Sequence, residues 1–172
     1  KNYEYPNTNI ENQIENPGQS WNAITVGGFT ERVFISKELN PKLKSFRALA
    51  NHGELSPYTK TSLSWQGDWP NKPDCLFETG NAIQSPLGDF DVCDDVSVLV
   101  ANANLLGQYV KTTSGTSIAA ARCAWVCARL WSLYPNAWAE TIRGILVHSA
   151  EWNEALIKQT KTNIKVGASK GR

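Results

Sequence analysis

Charge is scarce in this chain, and none of its apolar stretches is long. Of 172 residues, 17 are Lys or Arg and 16 are Asp or Glu, leaving a net charge of +1. The charged fraction, 19%, is below the usual quarter. This balance excludes the broad basic field that nucleic acid or an anionic membrane would need, so neither is expected as a partner. A local exception is the stretch 158–172, with five basic residues and no acid, which reads as a solvated end. No apolar run reaches the roughly 18 residues of a membrane span, and no segment reads as a signal peptide. Internal repeats and low-complexity tracts are absent as well.

Cysteine and histidine are few. The four cysteines, Cys75, Cys93, Cys123 and Cys127, form no Cys-x-x-Cys pair, and no Cys/His spacing matches a zinc site. Cys123 and Cys127 stand four apart on one helix face, a poor geometry for a disulfide. Buried free thiols are the expectation, which favours a reducing compartment such as a cytoplasm. The first residue is Lys1 rather than Met, so the chain is expected to be a processed product or an excised piece, and missing targeting signals carry little weight.

What is present is material for a core. Hydrophobic residues make up 41% of the chain, enough for one globular domain of this length. Residues 1–20 are rich in Asn, Glu and Pro and read as surface loop. "WNAITVGGFT" (21–30) reads as a short buried strand entering a Gly-Gly turn. "CLFETGN" (75–81) reads as a second strand ending at Gly80, and "DVSVLVANA" (95–103) as a third.

From Thr116 to Tyr134 nearly every position is apolar, with Arg122, Arg129 and Ser132 falling beside Trp125 on one narrow stripe. A helix of that kind is expected to be central and covered on most sides. Pro135 stops it. A second, amphipathic helix runs from about Trp138 to Glu151, with Ile142, Ile145, Leu146 and Ser149 on one face. Strands alternating with helices point to an α/β fold with a parallel sheet, of which three strands and two helices make about half.

"SGTS" (114–117) directly precedes the long helix and admits two readings. In one, a glycine turn and small hydroxyls satisfy the free amides of the helix's first turn. In the other, Ser117 is a nucleophile held where the helix dipole and free N–H groups stabilise an oxyanion. It is not the G-x-S-x-G elbow, because Ile118 and Ala119 follow.

Context favours the second reading. "SGTSIAAA" (114–121) resembles the serine motif of the subtilisin-like proteases, the subtilases. Three more stretches fall in that family's order. "WNAITVGGFT" is similar to the strand ending in Val-Gly-Ala. "SLSWQGDWPNKPDCLFETGNAI" (62–83) is similar to the Ser-x-Ser-x-x-Gly, Lys-Pro-Asp and Gly series. "LYPNAWAETIRGILVHSAEW" (133–152) is similar to the helix that follows the serine helix. The wording of "WNA", "LSPYTKTS" and "HSAEW" resembles a bacterial intracellular branch.

The resemblance implies a subtilisin-like three-layer α/β domain with a parallel sheet, of which residues 1–172 would be the C-terminal part. It implies a serine endopeptidase acting on peptide or protein substrates, with Ser117 as nucleophile and Thr116 and Gly115 shaping its turn. No cofactor is implied, although subtilases often bind calcium. Asp91, Asp94 and Asp95 cluster before a strand, but a hydrated charge run is the expectation there.

The departures concern catalysis. Ala121 stands where Pro is usual, and Thr79 where Gly is common. Neither the family's Asp-Ser/Thr-Gly motif nor its His-Gly-Thr motif occurs. The oxyanion-hole Asn is expected before residue 1, since Asn2 lacks its context. His52 is expected to be a solvated side chain and His148 a packing or hydrogen-bonding one, neither of them the base. The chain alone is therefore expected to be inactive and prone to self-association. The alternative is a degenerate subtilase serving as a scaffold or peptide-binding domain.

Overall fold

The computed structural model describes residues 3–65, 69–104 and 106–164, with side chains to residue 160. The chain begins with a short helix α1 (Asn7–Glu11) and a buried strand β1 (Val26–Phe29). After a 3₁₀ turn at Pro41–Leu43 come β2 (Arg47–Ala48), β3 (Cys75–Glu78), β4 (Ile83–Gln84) and β5 (Phe90–Asp91). A second 3₁₀ turn, Asp94–Val96, leads into β6 (Val98–Ala101) and β7 (Val110–Thr113). Three helices follow: α2 (Thr116–Leu133), α3 (Ala139–His148) and α4 (Glu154–Ile164). None of the described helices is long and apolar enough to cross a membrane.

The centre is the parallel pair β1–β3, in register Val26↔Cys75 to Phe29↔Glu78. α2 lies against both strands and α3 against α2. Cys75, Cys123 and Leu146 form the buried core between them, with Ile24, Val26, Phe77, Val126, Cys127 and Leu130 packed around it. This is an α/β arrangement with a parallel sheet, as the sequence implied. A second core of Ile35, Ile83, Cys93 and Val96 lies under the small antiparallel sheet β2–β4–β5.

Three expectations change in detail. Gly27 and Gly28 are strand residues of β1, not a turn. A Cβ on Gly27 would stand 2.6 Å from Pro73 Cγ, and one on Gly28 2.3 Å from Thr79 Cγ2, so both glycines serve close approach between chain segments. The third predicted strand is shorter than 95–103 and does not join the parallel pair: β6 pairs antiparallel with β7. Because the parallel sheet is two strands wide, it covers one side of α2 only. Ala119 and Cys123 are the buried residues of that helix, whereas Trp125 is 61% exposed. The polar stripe is still visible, with the Arg129 guanidinium 5.1 Å above the Trp125 ring.

The ends are more ordered than their composition implied. Within residues 1–20, Asn9 and Ile14 are buried, and the Asn9 side-chain amide donates to the Pro57 and Thr59 carbonyls. Part of the basic stretch 158–172 belongs to α4, which buries Leu156 and uses Gln159 to accept the Leu55 amide. The rest of that stretch lies outside the described residues.

Lys72 and Asp74 pin β3 beneath the helices. The Lys72 ammonium, fully buried, donates to Asp74 at 2.7 Å and to the Ala23 carbonyl at 2.8 Å. Asp74 also accepts the Thr25 amide at 2.7 Å and Arg143 of α3 at 3.0 Å. Burial alone would raise this carboxyl, but hydrogen bonds from Lys72, Thr25 and Arg143 outweigh it and hold the group below its ordinary value.

Candidate active site

α2 begins on a glycine. Gly115 is its N-cap, at φ 140° and ψ 161°, a backbone conformation that favours glycine. No side chain caps this helix, so the hydroxyls of Ser114, Thr116 and Ser117 do not do the capping that the plainer sequence reading assigned them. The Thr116 and Ser117 amides have no acceptor among the described residues. A first turn with free N–H groups carries the positive end of the helix dipole and can receive a negative oxygen.

Ser117 is the second residue of that helix and is exposed. Its hydroxyl has no hydrogen-bond partner among the described residues. Thr116 is half-buried beside it, and Ala119, one turn in, is fully buried against the core.

The turn is fixed from behind. The Gly115 amide donates to the Thr79 carbonyl at 2.9 Å, and the Gly115 carbonyl accepts Ile118 N–H at 3.2 Å. Ser114 Oγ donates to Ser97 Oγ at 3.0 Å, and Ser97 donates on to the Cys93 carbonyl at 2.8 Å. Gly80, at φ 78°, faces Ser114. Tyr58 donates to the Asn81 carbonyl at 3.3 Å. Burial pushes its phenol above the ordinary value, while a hydrogen bond with Ser114 pulls the other way. Asn81, fully buried, accepts the Ala50 amide and donates to the Arg32 and Ala50 carbonyls. The loop after β3 thus holds Gly115 and Ser97 holds Ser114, and Ser117 stands free in front.

Neither histidine hydrogen-bonds to Ser117. His148, expected to pack or hydrogen-bond, instead lies exposed in the last turn of α3, and His52 lines a cleft of about 550 Å³ with Tyr3, Tyr5, Arg47 and Phe90, away from the serine. Asp94 and Asp95 are less simply solvated than expected. Asp95 accepts the Ser36 amide and the Asn40 side chain, each at 2.9 Å, and Asp94 accepts the Thr112 hydroxyl. Among the described residues no group of three or more His, Cys, Asp or Glu side chains gathers that could hold a metal ion.

Sequence reasoning did not single out Glu78. Both its carboxylate oxygens accept backbone amides, at 2.7 Å from Gly80 and 2.6 Å from Glu31. An acid directly after the apolar Cys75–Leu76–Phe77 run was the available signal.

A sequence model of the subtilase family matches residues 2–169. The chain belongs to the subtilase family. It is also similar to an uncharacterized protein, y4bN, of Sinorhizobium fredii, at 27% identity over 154 residues. That match covers 86% of this chain but 35% of the relative, so the chain spans about a third of the relative's length. No solved structure matches. Membership gives the exposed serine at the head of α2 a family context, that of serine peptidases.

Proposed function

We propose that residues 1–172 are the C-terminal part of a subtilase catalytic domain, and that Ser117 is the nucleophile of a serine endopeptidase in the full-length protein. One observation carries the reading: Ser117 stands exposed on the first, uncapped turn of α2, its hydroxyl unpartnered among the described residues, with Gly115 tied to β3's loop behind it. A hydroxyl there can reach a peptide carbonyl without breaking a structural hydrogen bond. The Ser117 N–H is positioned to donate to the oxygen that becomes negative.

In this reading an upstream His takes the Ser117 proton and is oriented by an upstream Asp, the Ser-His-Asp scheme known for subtilisin. The serine oxygen bonds to the carbonyl carbon, and the leaving amine takes its proton from the His. Thr116 and Gly115 shape the turn. An Asn preceding this chain supplies the second oxyanion donor. The substrate is a peptide or protein; the net charge of +1 gives no reason for a nucleic-acid partner. Four free cysteines support a reducing compartment, the bacterial cytoplasm.

The test is turnover. Full-length protein and its Ser117→Ala variant are assayed on a casein-type substrate, with hydrolysis expected from the first and none above background from the second. Equal hydrolysis by both removes Ser117 from the mechanism. Peptide binding without hydrolysis by the unmodified protein would point to the scaffold alternative.

A further inference from the structure

A buried carboxylate is costly unless its oxygens are hydrogen-bonded. Glu78, the last residue of β3, is 7% exposed and makes no ion pair with a described residue. Its charge is met by two backbone amides, those of Gly80 and Glu31. These are short, charge-assisted bonds that hold the donors firmly.

The Gly80 N–H belongs to the same peptide unit as the Thr79 carbonyl. In a planar trans peptide the two groups point in opposite directions. On its N–H side this unit meets Glu78 Oε1 at 2.7 Å; on its carbonyl side it accepts the Gly115 amide at 2.9 Å. One rigid plane therefore links a buried carboxylate to the N-cap of α2, two residues before Ser117. The flanks of the plane are held too. Thr79 N–H donates to the Phe29 carbonyl at 3.2 Å, and Ser56 Oγ donates to the Gly80 carbonyl at 3.3 Å.

We propose that Glu78 is a positioning residue for the nucleophile: its carboxylate sets the tilt of the Thr79–Gly80 peptide, and that tilt sets where Gly115 starts the turn bearing Ser117. The inference rests on the reading of Ser117 as nucleophile. A carboxylate is the side chain the geometry asks for, because both oxygens face N–H donors and it offers acceptors alone. Glutamine has the same shape but must turn its NH₂ toward one of those donors. The mismatch rotates the peptide and displaces the turn.

The test uses the full-length protein. Glu78→Gln and Glu78→Ala are compared with wild type in the second-order rate of fluorophosphonate labelling, and in kcat and KM on a peptide ester. Ile142→Val serves as a stability control, since Ile142 is buried in α3 and takes no part in this loop's hydrogen bonds. Glu78→Gln is expected to lower labelling rate and kcat by about tenfold or more, as small misplacements of a nucleophile do, with KM within about twofold. Ile142→Val is expected to lower the melting temperature and leave both rates intact. If Glu78→Ala does not fold, Glu78→Gln alone decides the question. Wild-type rates in Glu78→Gln, or equal rate losses in Ile142→Val, would overturn the proposal. No labelling of the wild type, or equal labelling of Ser117→Ala, would overturn the nucleophile reading itself and this inference with it.

Discussion

A β-carbon on Gly80 would lie 2.4 Å from Ser114 Oγ, so the loop after β3 and the residue before the N-cap of α2 are in direct contact. Gly80 also sits at φ 78°, which side chains other than glycine's rarely adopt. Gly80→Ala therefore meets two penalties, of which the backbone one alone is about 1–3 kcal/mol. Gly144 is the contrast: it lies in α3, and a Cβ there meets nothing within 4 Å. Gly144→Ala is expected to stabilise by roughly 0.5–1 kcal/mol. Calorimetric melting of the two variants of the full-length protein checks both signs.

Lys72 predicts a large effect for a small change. With its ammonium fully buried against Asp74, Asp74→Asn leaves a charge inside the protein without its counter-charge. Loss of one partner of such a pair costs about 3–5 kcal/mol, measurable by denaturant unfolding. Arg143 reaches the same carboxylate but is 31% exposed, so Arg143→Ala is expected to cost about 1 kcal/mol or less.

The same carboxyl sets an acid limit. Its value in the fold is held below the ordinary 3.8, so the unfolded chain takes up the proton first on acidification. Stability from this group is complete above about pH 4 and is lost as pH falls through the lower, folded value. Unfolding free energy measured against pH should bend downward below about pH 4. The bend should flatten in Asp74→Asn.

The thiols behave oppositely. Burial, with Cys75 and Cys127 close by, pushes Cys123 up to about 12 from an ordinary 9.0, and burial likewise raises Cys75. A thiol raised so far stays protonated at pH 8 and is a poor nucleophile. Cys75 and Cys123 are thus expected to resist alkylation until denaturant is added, whereas the half-buried Cys127 labels earlier. Stability from the raised thiols is complete below their ordinary value and declines as pH rises toward 12. Thiol counting by mass, with and without denaturant, gives the order of labelling.

The outward face of α2 predicts self-association of the isolated chain. Trp125, Trp131 and Leu133 of α2 are exposed, as are Tyr134 and Trp138 after it. So many large apolar side chains left open along one segment favour association. Size-exclusion chromatography of residues 1–172 is expected to show oligomers or aggregates. A sharp monomer peak with cooperative melting would contradict this.

The long helix was legible because a nearly continuous apolar run between a glycine turn and Pro135 leaves little else possible; its observed start at Thr116 is the expected one. β1 and β3 were legible from their apolar residues. The role of Gly27 and Gly28 was not, because close approach to Pro73 and Thr79 is a tertiary fact that a Gly-Gly pair shares with any turn. The β6–β7 hairpin escaped notice because Val110–Thr113 holds one apolar residue and three polar ones, too little to stand out beside "SGTS". α4 was hidden by its lysines, since a buried Leu156 and Gln159 are two residues among many polar ones. At the candidate site Ser117 was readable from its motif. Glu78 was not, because its partners are backbone amides, which leave no mark in sequence.

The most direct test of the central claim is the address of a covalent adduct. Full-length protein is treated with a fluorophosphonate, digested with trypsin and sequenced by fragmentation mass spectrometry. The peptide TTSGTSIAAAR, residues 112–122, holds Ser114 and Ser117 together, so fragment ions distinguish them. The account predicts a single adduct on Ser117, absent when the protein is denatured before treatment. An adduct on Ser114 or outside this peptide, with Ser117 unmodified, would contradict it.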